Sequence, residues 1–182
     1  PSGETELSTS KDELQNIKNA LITNSSVEVV ELENIEIKNN IWQLLSESLA
    51  LNNSIKSFKI NNIKNLENDL SALEEIIIFS TSIEELIIAN HINSGNDILN
   101  AIGYAISTNT NLKKLVLTNN NLKGSSIDCV SQIINMNDTI IDINISHQEI
   151  NSKHLKIIAD GLKNNKTLIS LSLNNIGLDH TS

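Results

Sequence analysis

An eleven-residue phrase returns along this chain at a nearly constant step. Val27, Ile55, Ile83, Leu112, Ile140 and Leu168 open its six copies, spaced 28, 28, 29, 28 and 28 residues apart. Apolar residues follow three, five and usually ten positions later, and Leu112 to Leu122 (LKKLVLTNNNL) carries the pattern in full. A fixed period of this length restricts the fold more than any composition does, because each unit is too small to bury its own apolar face and must stack on the next. The expected fold class is α/β: a right-handed solenoid of about six 28-residue strand–helix units, with a parallel sheet on the concave side and helices on the convex side.

The segments between phrases repeat as strictly. Leu14, Trp42, Leu70, Leu99, Ile127 and Leu155 form one column, thirteen residues before each phrase. Columns at ten and six residues before it, such as Leu45, Leu73 and Ile102 or Leu49, Ile77 and Ile106, are apolar throughout. Offsets of three and seven place all three on one helix face, so Trp42 is expected to be buried in the core. Asn24, Asn52, Ser80, Asn109, Asn137 and Asn165 stand three residues before each phrase. Asparagine tolerates the left-handed backbone that ends many helices, and this column reads as a helix stop of that kind. Ser10 with Glu13 reads as a capping box opening the first helix.

Composition narrows the function. Thirteen basic residues, all lysine, against 22 acidic ones give a net charge of −9, which opposes nucleic-acid binding. The longest apolar run, Ile76 to Phe79, is far too short for a membrane span. The polar, acidic N-terminus does not read as a signal peptide. Residues 1–9 are expected to be a disordered polar segment. Residues 10–182 are expected to form the repeat domain, with helix 10–24 as a partial cap. After Leu178 the phrase is complete, and the array is expected to continue into a capping helix or a further domain.

The phrase Leu-x-x-Leu-x-Leu-x-x-Asn-x-Leu with a full helix resembles ribonuclease-inhibitor-type leucine-rich repeats, over roughly residues 10 to 178. Ile60-Asn61-Asn62-Ile63 and Leu173-Asn174-Asn175-Ile176 resemble the variant found in tropomodulin-type repeats. The Asn-rich, arginine-free composition is similar to that of leucine-rich-repeat effectors of intracellular bacteria. The family asparagine at the ninth phrase position remains only as Asn120, with Ile35, Ile63, His91, Gln148 and Ile176 in its place. A ladder of asparagines is therefore expected to be missing there. A shifted series, Asn34, Asn62, Asn90, Asn119 and Asn175, lies one residue earlier.

Strand side chains alternate between faces, so the third, fifth and seventh phrase positions should face the concave groove. The fifth column reads Glu31, Lys59, Ile87, Val116, Asn144, Ser172, and the third reads Val29, Ser57, Glu85, Lys114, Asp142, Ser170. Charges alternate across neighbouring strands, at Glu31–Lys59 and at Glu85–Lys114–Asp142. This pattern suits cross-strand pairing as well as partner recognition. Ile87 beside Val116 offers an apolar centre within a polar rim, the arrangement of a partner anchor. The expected partner-binding set is Glu31, Lys59, Glu85, Ile87, Lys114, Val116, Asp142 and Asn144.

Catalytic chemistry is not legible. His91, His147, His154 and His180 fall in different repeats without metal-ligand spacing, and they read as structural or solvated side chains. Cys129 shares a helix column with Leu44, Ala72, Ala101 and Ile157 and reads as a small buried apolar residue. No arginine exists to act as a trans-acting finger in nucleotide hydrolysis. The expectation is a non-catalytic protein-binding module with a protein partner and no nucleic acid, membrane, cofactor, metal or small-molecule substrate. The resemblances add three alternatives: a bacterial effector acting on a host protein, the recognition arm of a larger enzyme, or an actin-filament-end binder. The expected setting is soluble and cytoplasmic, or the host cytoplasm for an effector.

Overall fold

The computed structural model describes residues 11–177. The segment 1–9, Ser10, Leu178 and His180 lie outside them. Six strands, β1 (Val29–Glu33), β2 (Ser57–Asn61), β3 (Glu85–Ala89), β4 (Lys114–Val116), β5 (Asp142–Asn144) and β6 (Ser170–Ser172), form one parallel sheet in sequence order. Helices α1 (Lys11–Thr23), α2 (Asn39–Leu51), α3 (Leu70–Phe79), α4 (Gly95–Thr108), α5 (Ser125–Met136) and α6 (Ser152–Leu162) alternate with them, and a 3-10 turn, Leu66–Asn68, precedes α3. The fold is the strand–helix solenoid read from the period, with each strand starting two residues into its phrase.

Register follows the repeat. Val29, Ser57, Glu85, Lys114, Asp142 and Ser170 are consecutive pairing partners, and so are Glu31, Lys59, Ile87, Val116, Asn144 and Ser172. One continuous aliphatic core lies between sheet and helices, built from the helix columns and the fourth and sixth strand positions. Trp42 is 1% exposed. Cys129 is half-buried, not fully buried, and its thiol points at the Leu99 carbonyl at 3.4 Å. Helix α5 lies so close to α6 that a Cβ on Gly161 would sit 2.5 Å from the Ser131 carbonyl oxygen. Gly124, before α5, has φ +58°, a conformation open to glycine at little cost. Among the described residues, the units at the two ends of the stack have a neighbour on one side only. Ile17, Val27 and Val29 are exposed at one end, Leu162 and Ile169 at the other.

The helix-ending asparagines work differently from the left-handed stop expected of them. Asn52, Asn109 and Asn137 have φ between −80° and −67°, extended backbone. Their side chains do the work. The Asn137 carboxamide oxygen accepts the Thr139 and Ile140 amides at 2.9 and 2.8 Å, closing the turn into the strand. Its Nδ2 donates to the Ile106 and Asn109 carbonyls of the preceding repeat at 2.9 and 2.8 Å. Asn52 and Asn165 repeat both halves of this arrangement. The column thus staples neighbouring repeats together while satisfying buried backbone groups. Positive φ belongs instead to the shifted series: Asn34, Asn62, Asn90, Asn119, His147 and Asn175 all have φ of 49–62°.

Ser80 breaks the staple, being too short to reach the carbonyls of Leu49 and Asn52, the equivalents of those its neighbours bond. Ser82 Oγ donates to the Asn52 carbonyl at 2.9 Å in partial replacement. Ser80→Asn is therefore expected to raise stability by about 0.5–1.5 kcal/mol, the net worth of an added hydrogen bond. The check is a chemical-denaturation midpoint shifted upward at unchanged slope.

Candidate protein-binding surface

The concave face carries the third, fifth and seventh strand columns side by side, as their alternation requires. Glu85 and Lys114, on β3 and β4, make an ion pair at 2.9 Å, and Ser57 Oγ donates to Glu85 at 2.5 Å. Burial pushes the Glu85 carboxyl up, but the hydrogen bonds from Ser57 and Lys114 and the charges of Lys114 and Lys59 hold it below its ordinary range. The hydrogen bond to Glu85 holds Lys114 above its own. Both charges are thus partly committed within the sheet, which favours their cross-strand structural role.

The fifth column is freer. Glu31 and Lys59 are pairing partners on β1 and β2, yet no ion pair joins them, contrary to the expected alternating contact. Lys59 and Ile87 are half-buried neighbours; on β5 the half-buried Asn144 pairs with Val116 and the half-buried Asp142 with Lys114. Val116 itself departs from expectation: only 9% of it is exposed. It lies outside the core cluster, so the side chains of the concave face itself cover it. Ala89 and Ser146, in the seventh column, are buried as well. The groove therefore has a closed floor at Val116, with Ile87 and Lys59 as the accessible residues beside it.

Along the rim at the strand ends, the shifted asparagines form an exposed ladder. Asn62 donates to Asn34 at 2.8 Å, Asn119 to Asn90 at 2.6 Å and Asn90 to Asn61 at 2.7 Å, while Asn61 donates to Glu33 at 2.8 Å. His147 continues it, with its Nδ1 3.1 Å from Asn175 Nδ2. Beneath lies an inner run at the ninth phrase position, where no ladder of asparagines stands but three different polar residues take its place. Asn120 Oδ1 accepts the His91 amide at 2.9 Å, and Gln148 Oε1 accepts the Asn120 and Leu122 amides at 3.2 and 3.0 Å. His91 Nε2 accepts the Ile63 amide at 3.1 Å. Histidine, asparagine and glutamine thus do one job in three successive repeats, and that polar run in adjacent copies was the signal available beforehand.

His91 is 3% exposed. With Nε2 accepting, the neutral ring carries its proton on Nδ1, which makes no well-formed hydrogen bond. Burial lowers its pKa to about 4. The unfolded chain therefore binds a proton below the ordinary histidine value of 6.5 that the folded chain refuses until about 4. Stability should fall as pH drops through that window, by on the order of 3 kcal/mol for a shift of this size. His91→Gln, copying Gln148, should flatten the slope in denaturation midpoints measured between pH 7 and pH 4. An unchanged slope would assign the acid sensitivity elsewhere.

Among the described residues no group of three or more His, Cys, Asp or Glu side chains could hold a metal ion, and no helix is long and apolar enough to cross a membrane.

No protein-family model and no curated protein sequence matches the chain. Solved structures do. The tropomodulin C-terminal domain of Caenorhabditis elegans superimposes with a TM-score of 0.62 at 14% identity, over 84% of this chain and 92% of that one. Actin-binding site 2 of leiomodin-1 superimposes with a TM-score of 0.59 at 17% identity, over 84% and 90%. At such identities the likeness is one of architecture: the chain has the leucine-rich-repeat-like solenoid fold of these tropomodulin-type neighbours.

Proposed function

We propose that this chain is a non-catalytic protein-binding module that receives its partner on the concave face. The observation carrying this reading is the unbroken register of six strands, which brings Glu31, Lys59, Ile87 and Asn144 into one row around the floor at Val116. Lys59 and Ile87 are the centre of the proposed contact, a cation free of an ion pair beside an accessible aliphatic side chain. Glu85, Lys114 and Asp142 flank them as a charged border. Interfaces commonly place such an apolar anchor within a polar rim.

Actin is the partner to test first, because the likeness to the actin-binding site of leiomodin-1 spans most of both domains. A cytoplasmic setting goes with this reading. The bacterial-effector reading rests on composition alone, and the recognition-arm reading on no feature of the described residues. In cosedimentation with filamentous actin, or in an assay of filament elongation, the chain is expected to bind. Ile87→Asp combined with Lys59→Glu should weaken that binding at least about tenfold, the scale of losing a central interface residue. Both positions lie off the core, so the thermal midpoint should hold.

A further inference from the structure

The tripeptide Asn-x-Ser/Thr, the acceptor sequence for N-linked glycosylation, begins at Asn24, Asn52, Asn137, Asn144 and Asn165. All of these except Asn144 belong to the helix-ending column, and the geometry of the staple explains why. The asparagine oxygen accepts the amide two residues on, as at Ser54 and Thr139. The hydroxyl of that same residue reaches back to the preceding repeat. Ser54 Oγ donates to the Val27 carbonyl at 2.9 Å, and Thr139 Oγ1 to the Leu112 carbonyl at 3.0 Å. The tripeptide is thus a product of stacking, and both of its defining groups are engaged in the stack.

Glycosyl transfer needs the carboxamide nitrogen. Nδ2 attacks C1 of a sugar carried on a diphosphate, the N–C bond forms, the C–O bond to the diphosphate breaks, and Nδ2 gives up one proton. In the staples both Nδ2 hydrogens are already used. Asn52 donates to the Leu21 and Asn24 carbonyls at 2.7 and 2.9 Å, and Asn165 to the Ile134 and Asn137 carbonyls at 2.7 and 3.3 Å. Asn137 does the same towards Ile106 and Asn109. Asn52 and Asn137 are buried, so a sugar on either nitrogen would break a bond between repeats and find no room beside it. Asn144 is closed in another way: Ser146, the hydroxyl residue of its tripeptide, is buried and accepts the Asn174 amide at 2.9 Å. Asn24 differs. It is exposed, its oxygen accepts the Ser26 and Val27 amides, and its Nδ2 makes no hydrogen bond among the described residues.

We propose that this fold and N-glycosylation exclude one another at Asn52, Asn137 and Asn165. The stack forms only where these residues escape glycosyl transfer during synthesis. Once formed, it closes them and leaves Asn24 as the open acceptor. Modification before folding uncouples the repeats, and with them the concave row.

The test makes the whole chain by cell-free translation. A soluble N-glycosyltransferase that reads Asn-x-Ser/Thr is supplied with a nucleotide-diphosphate-linked hexose, either during synthesis or after folding. Peptide mapping by mass spectrometry locates the hexose, and limited proteolysis reports the fold. After folding, hexose is expected at Asn24 alone, with protease resistance unchanged. During synthesis it is expected also at Asn52, Asn137 or Asn165, and those molecules should be cleaved at least about tenfold faster than unmodified ones, the scale of losing one buried hydrogen bond. A protease-resistant chain carrying hexose at any of these three residues would overturn the proposal. So would their modification after folding as fast as that of Asn24, their escape during synthesis while Asn24 is modified, or an Asn24 left unmodified in the folded chain.

Discussion

Trp42→Ala should destabilise the chain by about 3–5 kcal/mol, the range for emptying a large aromatic from a packed core. Trp42 fills, in the second repeat, the position held by leucine or isoleucine in every other helix of the stack, and it is among the largest fully buried side chains. Each unit contributes to the interfaces on both sides, so a void here weakens both α1 on α2 and α2 on α3. As the only tryptophan, it also reports on itself. The folded wild type should emit at the blue wavelength of a buried indole and shift red on unfolding, and guanidinium titrations of the two proteins should give the energy difference.

Asn137→Ala should cost nearly as much, about 3–5 kcal/mol, through hydrogen bonding and not through volume. The substitution leaves the Thr139 and Ile140 amides without their acceptor and takes the shorter of two hydrogen bonds from the Ile106 and Asn109 carbonyls, which keep the Asn109 amide and Thr139 Oγ1 at 3.3 Å. Each group left unsatisfied in a buried setting costs about 1–3 kcal/mol, with partial relief where water reaches it. Asn137→Asp separates the two halves of the staple. It keeps the acceptor for the two amides but sets a carboxylate against two carbonyl oxygens, and it should be destabilising at pH 7 and recover as the carboxyl protonates in acid. A variant as stable as wild type would mean that the cross-repeat donors contribute nothing.

The architecture was legible because a period of 28 fixes register: once Leu115 is placed inward, Val116 must face outward and pair with Ile87 and Asn144. The mechanism of the asparagine column was not legible. Asparagine serves left-handed backbone at Asn62 and a carboxamide staple at Asn52, and only the coordinates distinguish a residue chosen for its φ from one chosen for its reach. Exposure within the groove was also hidden, since Val116 faces away from the core yet is covered by its neighbours. That depends on the sizes of side chains on adjoining strands, which a column-by-column reading does not sum. His91 was hidden for another reason. In three of the other five copies its position is isoleucine, and a polar residue there makes sense only when Asn120 and Gln148 are seen to continue one hydrogen-bond run.

The most direct measurement places a benzophenone photocrosslinker at Lys59 on the concave row and, separately, at Gln132 on the exposed side of α5, and irradiates each protein with filamentous actin. A crosslinked product of the chain with actin is expected from position 59, lost when Ile87→Asp is added, and none from position 132. No product from position 59, or product from position 132 alone, would contradict docking on the concave row.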